Sequence, residues 1–502
     1  MIEQIKKSED LKASLQKLRQ ELKGIRPGEL PKQWRAEYPL FVEFLSDDDP
    51  KVRQNAVLII KELAGPELAG EEKPSCDSEV ARAVYDAYLK DPTKYNKEAY
   101  LSALNSFDLQ ACGLAEKLME RRAALIAAEY APEDKKHIIN ELHELSLLLR
   151  PFLSAHTFSG SNMCSELVLL TNRNFKKLTM DRLKNISHKE FTAGVMVKTT
   201  DIEHIRKNIR TYSEFLFVPE GVKTCSSDPV EAAEALIAGG LPKYIQSRIT
   251  EPDSPVFFRV ERRGKDTKAC VAFEKKLASE LEYLSGWSMV NSVSEYEVEL
   301  RFVETADNKL IVLVKFCNLP DERFSYRKMS LPVSIKPYIA ATVMNLAQPY
   351  LSEEATVLDP FCGCGTMLIE REKIIPASRY YGIDIFGDAI EAAKTNLKEA
   401  GLMEKTELIK KDFFLFTHKY RFDEVVTDMP FVTDKKSSAE IERLYRDFFR
   451  KIPSLLESGA RLFIYSRNRD VLRKYAGASG FRIISEFEIS KAEGSWFCIL
   501  SL

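Results

Sequence analysis

Val357-Leu358-Asp359-Pro360-Phe361-Cys362-Gly363-Cys364-Gly365-Thr366, running on into Met367-Leu368-Ile369-Glu370, decides how this 502-residue chain is read. An apolar strand ends in an acid, a turn with two glycines follows, and a helix begins. Glycine lets a ligand lie against backbone where a Cβ would clash. The N–H groups exposed at a helix start can hold a carboxylate or a phosphate. Glycine turns after strands are common, so the segment gains meaning from its companions. Tyr380-Tyr381-Gly382-Ile383-Asp384 is a second strand ending in an acid, 25 residues beyond Asp359 and placed to accept the ribose hydroxyls of a nucleoside. Leu408-Ile409-Lys410-Lys411-Asp412-Phe413 ends a third, with an aromatic beside its acid. Glu424-Val425-Val426-Thr427-Asp428-Met429-Pro430-Phe431 ends a fourth. Strand and helix in alternation specify a parallel α/β sheet. A turn or helix cap accounts for any one of these acids. Four in order, at the carboxyl ends of parallel strands where open sheets bind ligands, point to a site.

On these residues, segment 356–431 resembles class I S-adenosylmethionine-dependent methyltransferases. Asp359 through Thr366 is similar to the version found in THUMP-domain RNA guanine-N2 methyltransferases. Upstream, Tyr326-Arg327, Leu331-Pro332-Val333-Ser334-Ile335-Lys336-Pro337 and Ala340-Ala341 resemble that family's lead-in to its catalytic domain. Val256 to Phe316 resembles a THUMP module, and Arg210-Thr211 to Phe217 the segment before it, so the likeness covers residues 190–502. It implies a Rossmann-like class I methyltransferase domain with S-adenosylmethionine as cofactor. Asp359, Phe361, Cys362, Gly363, Cys364, Gly365 and Thr366 would pass the methionine part, Asp384 would hold the ribose, and Asp412 and Phe413 would lie by the adenine. Asp428-Met429-Pro430-Phe431 matches the family's amine-binding Asp/Asn-Pro-Pro-Tyr/Phe motif at three of four positions, Met429 being the departure.

The chemistry needs such a motif. An exocyclic amine conjugated to a ring is a poor nucleophile, because its lone pair is delocalised. Asp428 and the Met429 carbonyl can accept its two N–H bonds, and Phe431 can stack on a base turned out of its helix. The expected activity is methylation of guanine N2 in tRNA or rRNA. DNA amines or a protein glutamine are alternative acceptors, and an inactive RNA-binding scaffold is an alternative of another class.

The rest of the chain divides by texture into a multidomain protein. Residues 1–150 carry helical periodicity, with Pro50, Pro92 and Pro132 spaced 42 and 40 apart and each expected in a helix first turn. That period resembles HEAT-type repeats, a plain helical bundle being the alternative; a protein partner is expected for such a surface. Residues 151–187 read as a linker with a basic stretch, and 188–325 as an α+β THUMP-like RNA-binding region. Residues 326–502 are expected, from the resemblance, to form the catalytic domain. Within the third part, Arg259, Arg262, Arg263, Lys265 and Lys268 are candidate RNA contacts.

Composition sets bounds. Seventy-three Lys plus Arg against seventy-five Asp plus Glu leave a net charge of −2, so bulk charge singles out no polyanion partner. The 45% apolar share excludes wholesale disorder. No apolar run reaches the ~18–20 residues of a membrane span, and the polar start Met1-Ile2-Glu3-Gln4-Ile5-Lys6-Lys7 is unlike a signal peptide. Nine cysteines without C-x-x-C spacing read as reduced thiols rather than zinc ligands or disulfides, so no metal and a cytoplasmic location are expected.

Overall fold

A computed structural model describes residues 5, 10–25, 38–64, 78–264, 266–431 and 437–502. Contacts group the chain into two units that are not consecutive segments: residues 1–159 with 219–318, and 160–218 with 319–502.

The first unit begins with helices, among them Leu11–Lys23, Pro50–Leu63, Ser78–Lys90, Lys97–Leu104, Ala115–Ala127 and Lys135–Leu149. Pro50 sits in the first turn of its helix, where Asp49 accepts the Lys51 N–H. Pro92 and Pro132 do not sit so: each lies in the turn before a helix that starts later, at Lys97 and Lys135. The forty-residue spacing therefore marks turns as well as a helix start, and it does not establish a HEAT repeat. The helices share one apolar core with Phe257, Trp287 and Val290. Arg122 donates to the Trp287 carbonyl at 3.1 Å, and His143 meets the buried Glu282 at 2.7 Å.

The same unit holds strand Val256–Arg263, parallel to both Met289–Asn291 and Val298–Glu304, with Leu310–Phe316 antiparallel to the latter. Helix Thr267–Leu284 begins under an Asp266 cap and packs on the first of these strands.

Asp91 is a buried fastening in the helical part. It accepts from Arg53 Nε at 2.9 Å, Asn96 Nδ2 at 3.0 Å, Tyr100 Oη at 3.0 Å and the Thr93 N–H at 2.8 Å. Burial alone would raise this carboxyl, but those donors outweigh it and hold it well below the usual carboxylate range. A depressed carboxyl contributes stability above its unfolded pKa of ~3.9 and loses it as pH falls through the folded value. Asp91→Ala, which strands the buried Arg53 charge, is expected to cost about 3–5 kcal/mol at pH 7 by thermal melting, with the deficit shrinking in acid.

In the second unit, Ser165–Thr171 lies between Gly194–Thr199 and Tyr212–Val218 in an antiparallel sheet, with Ser187–Phe191 outside. This corrects the linker reading of 151–187. Leu167, Val168 and Leu169 are buried, and that apolar run was the signal the neighbouring basic residues obscured.

The remainder is a seven-stranded sheet whose strands are β1 (Thr356–Asp359), β2 (Arg379–Asp384), β3 (Thr406–Lys410), β4 (Phe422–Asp428), β5 (Leu456–Ser466), β6 (Arg482–Ser490) and β7 (Ser495–Ser501). Its helices include α1 (Thr366–Ile374), α2 (Gly387–Glu399), α3 (Ser438–Lys451) and α4 (Arg469–Ala478). Spatial order is β3-β2-β1-β4-β5-β7-β6, parallel except where β7 pairs antiparallel with β5 and β6. The order reverses between β1 and β4, so a crevice opens at their carboxyl ends.

Two consecutive buried charges lock α1 in place. Glu370 accepts from Arg210 at 2.6 and 3.0 Å and from the Tyr326 hydroxyl at 2.7 Å. Arg371 forks onto Glu424 of β4, with both bonds at 2.9 Å. At the start of α3, Ser437 and Glu440 form a reciprocal capping box. None of the described helices is long and apolar enough to cross a membrane.

Candidate active site

The turn after β1 is held by backbone geometry. Gly363 and Gly365 have φ of +51° and +77°, a left-handed backbone that side chains rarely adopt. The Cys362 N–H donates to the Ile383 carbonyl at 2.9 Å, tying the turn to β2. Gly382 makes that approach possible: a Cβ there would lie 2.9 Å from Leu408 Cδ2 and 3.1 Å from Cys362 Sγ. The Asn396 amide donates to the Cys364 carbonyl at 3.0 Å from α2.

The expected site residues come together, with different roles among them. Asp384 accepts the Gly363 N–H at 3.0 Å and the Phe386 N–H at 2.9 Å, so one carboxylate orders both the glycine turn and the loop after β2. Asp412 lies just past β3 and accepts the Phe414 N–H at 2.9 Å. Phe413 is buried, with its ring 5.7 Å from Phe361 and 5.8 Å from Phe448 of α3. Cys362, Cys364 and Thr366 are also buried. Cys364 Sγ lies 3.2 Å from Ser334 Oγ in the lead-in segment and 3.4 Å from Thr366 Oγ1. These three side chains pack inward, and the turn offers a ligand its backbone at Gly363 and its half-buried Phe361.

Asp428 ends β4 opposite Tyr465 of β5. Met429 is buried, and its N–H donates to the Tyr465 carbonyl at 2.9 Å, which leaves the Met429 carbonyl outside that bond. The buried side chain at 429 joins the apolar core made by residues of β4, β5 and α3. Burial pushes the Asp428 carboxyl up to about 7, against the pull of the Arg467 guanidinium. Burial likewise raises Asp359 to about 8, helped by the charges of Asp428 and Asp384, while the Phe361 N–H that Asp359 accepts opposes it. Two carboxyls raised by burial thus stand at the carboxyl ends of the adjacent strands β1 and β4.

Three nearby residues escaped the motif reading. Ile385 and Phe386 are large apolar side chains left exposed beside Asp384, at 55% and 65% of their surface. Their position directly after an acid that ends a strand is the signal that could have found them. Arg467, whose guanidinium covers the Phe431 ring at 4.0 Å, carries no motif signal at all.

The five basic residues do not form one face. Arg259 and Arg263 share a side of their strand with Glu261, which pairs with them at 3.4 and 2.8 Å; Arg259 also meets Glu299 at 3.5 Å. Arg262 points to the opposite side, its guanidinium 4.8 Å from the Phe273 ring centroid. Lys268 is exposed near the start of helix Thr267–Leu284, and Lys265 lies outside the described residues. The alternation of a strand separates neighbours that look like a cluster in sequence. Among the described residues, no group of three or more His, Cys, Asp or Glu is placed to hold a metal ion.

Residues 325–492 match the family described as UPF0020, an RMKL-like methyltransferase domain. A tRNA (guanine(10)-N2)-dimethyltransferase of Pyrococcus abyssi is 32% identical over 171 residues, which is 33% of this chain and 49% of that protein. The U6 snRNA (guanine-N(2))-methyltransferase THUMPD2 of Bos taurus is 32% identical over 117 residues, 23% of each chain. The chain thus spans about half, or less, of the length of these curated relatives. The crystal structure of TrmN from Thermus thermophilus covers 67% of this chain and 99% of its own, with 18% identity and a TM-score of 0.49. The C-terminal part, with its strand order and glycine turn, has the class I methyltransferase fold.

Proposed function

We propose that this protein is an S-adenosylmethionine-dependent RNA methyltransferase that modifies the N2 amine of guanine in a structured RNA, a tRNA foremost. The observation that carries this reading is Asp428-Met429-Pro430-Phe431 at the end of β4, beside the glycine turn after β1. The names of the relatives, tRNA and U6 snRNA guanine-N2 methyltransferases, agree with it.

The residues present fit the cofactor. The left-handed glycines leave backbone open to a ligand, and Asp384 stands anchored at the end of β2 with Ile385 and Phe386 exposed behind it. When bound, the cofactor supplies an electrophilic methyl group on a sulfonium. Asp384 would take the ribose hydroxyls, Asp412 and Phe413 would lie by the adenine, and the turn with Phe361 would pass the methionine part. Asp428 and the Met429 carbonyl would accept the two amine N–H bonds, drawing the nitrogen lone pair out of conjugation. Phe431 would stack on the extruded base. Rate enhancement then comes from positioning and charge more than from a strong base.

Residues 188–325 would dock the folded RNA mainly by shape and phosphate, with the exposed Lys268 as one contact, and the helices of 1–150 would offer their surface to a protein partner. The free cysteines suit a reducing compartment such as the cytoplasm.

Asp384→Ala is expected to weaken cofactor binding by about 100-fold in calorimetry, since two hydrogen bonds to a charged acceptor are lost. The decisive test is nucleoside mass spectrometry of RNA after incubation with the protein and methyl-labelled cofactor. Methyl on guanine N2 supports the reading, and label in protein or DNA instead defeats it.

A further inference from the structure

The carboxyl end of β5 supplies one wall of the acceptor site. The Tyr465 carbonyl holds the Met429 N–H, and Ser466 Oγ lies 2.8 Å from the Tyr445 hydroxyl of α3 while accepting the Asn468 N–H. Between these anchors Arg467 reaches in two directions. Its guanidinium covers the Phe431 ring at 4.0 Å from the centroid, and its NH2 lies 3.3 Å from Glu493 in the turn between β6 and β7. Among the described residues, the titratable groups around Asp428 are Asp359 from β1, Tyr445 from α3, Tyr465 from β5 and Arg467 just after β5. Of these, Arg467 is the cation.

A planar guanidinium over an aromatic face is an attractive contact of defined geometry, stronger the drier the site. It orders the ring against which the base must lie. A fixed positive charge beside a buried carboxyl also favours the ionised form, which accepts amine hydrogens better than the acid does. We propose that Arg467 is a positioning residue of the acceptor site: through Phe431 it presents the stacking face to the target base, and its positive charge favours the ionised form of Asp428. This rests on the guanine-N2 reading above. Glu493 tethers the guanidinium and moderates its charge.

The test measures kcat and KM for RNA from pH 5.5 to 9 with the full-length protein. Arg467→Met keeps the stem and removes both effects. Its loss of kcat should be about three- to tenfold at pH 6.5 and narrow by pH 9, because the acid limb moves to higher pH. Arg467→Lys keeps the charge but not the flat stack, so the limb should stay while KM for RNA rises. Glu493→Gln, at an exposed turn, should move the limb the opposite way, and this variant carries the test if Arg467→Met does not fold. A limb that stays in place in both Arg467→Met and Glu493→Gln, with the unsubstituted protein active, overturns the assignment of Arg467 alone. Unsubstituted protein that leaves guanine N2 unmodified overturns the reading beneath it.

Discussion

Asp428→Ala is expected to reduce methyl transfer to RNA by about 10³-fold, with cofactor affinity in calorimetry unchanged within a factor of about three. The loss is large because the carboxylate acts where charge develops on the attacking nitrogen, and removing one such group from a dry site costs ~10²–10³ in rate. Asp428 is not among the residues that hold the glycine turn, whose bonds go to Asp384, Ile383 and Asn396, so the cofactor site should survive. The pH profile gives an independent check. Burial pushes Asp428 up to about 7, so the ionised, accepting form is the minority below that pH and the majority above it. The transfer rate of the unsubstituted protein should therefore rise through about pH 7 and level off. In Asp428→Asn the amide cannot titrate, so the rise should vanish along with most of the activity. A variant that keeps the same acid limb would show that some other group, with Asp359 the first candidate, sets it.

Glu424→Ala is expected to cost about 3–5 kcal/mol, because it leaves the wholly buried Arg371 guanidinium without its carboxylate. For a unit of this size, that is a fall in melting temperature on the order of 10 °C. Glu424 also accepts the Ser352 N–H at 2.8 Å, so the variant loosens the strand that carries Asp428 together with the helix that follows the glycine turn. Activity should fall with stability, and high cofactor concentration should recover part of both by mass action. Glu424→Leu paired with Arg371→Leu separates charge from packing: removing both charges should cost much less than removing one. Thermal melting of the two variants, with and without cofactor, checks both statements.

The catalytic sheet was legible because its signals are local. A strand ending in an acid, a turn that only glycine can form, and an apolar stretch of fixed length each announce themselves over a few residues. Four such units in order then leave few topologies. The α+β strands from Val256 to Phe316 were legible for the same reason. Where reading along the chain went astray, the deciding contacts were distant. Ser165–Thr171 looked like a linker because its partners, Gly194–Thr199 and Tyr212–Val218, lie tens of residues away. The prolines at 92 and 132 looked like helix starts because nothing nearby says where a turn ends.

What the sequence determined by itself is the succession of strands and helices in the last third, the acids at their carboxyl ends, and the chemistry an Asp-x-Pro-Phe motif can perform. Tertiary structure alone decided which way each side chain faces. It turned Cys362, Cys364, Thr366 and Met429 inward, paired Arg259 and Arg263 with Glu261, and laid Arg467 over Phe431. The physical reason is that backbone conformation follows from steric preferences over neighbouring residues. Burial, pairing and the protonation of Asp359 and Asp428 follow from which distant groups exclude water around them.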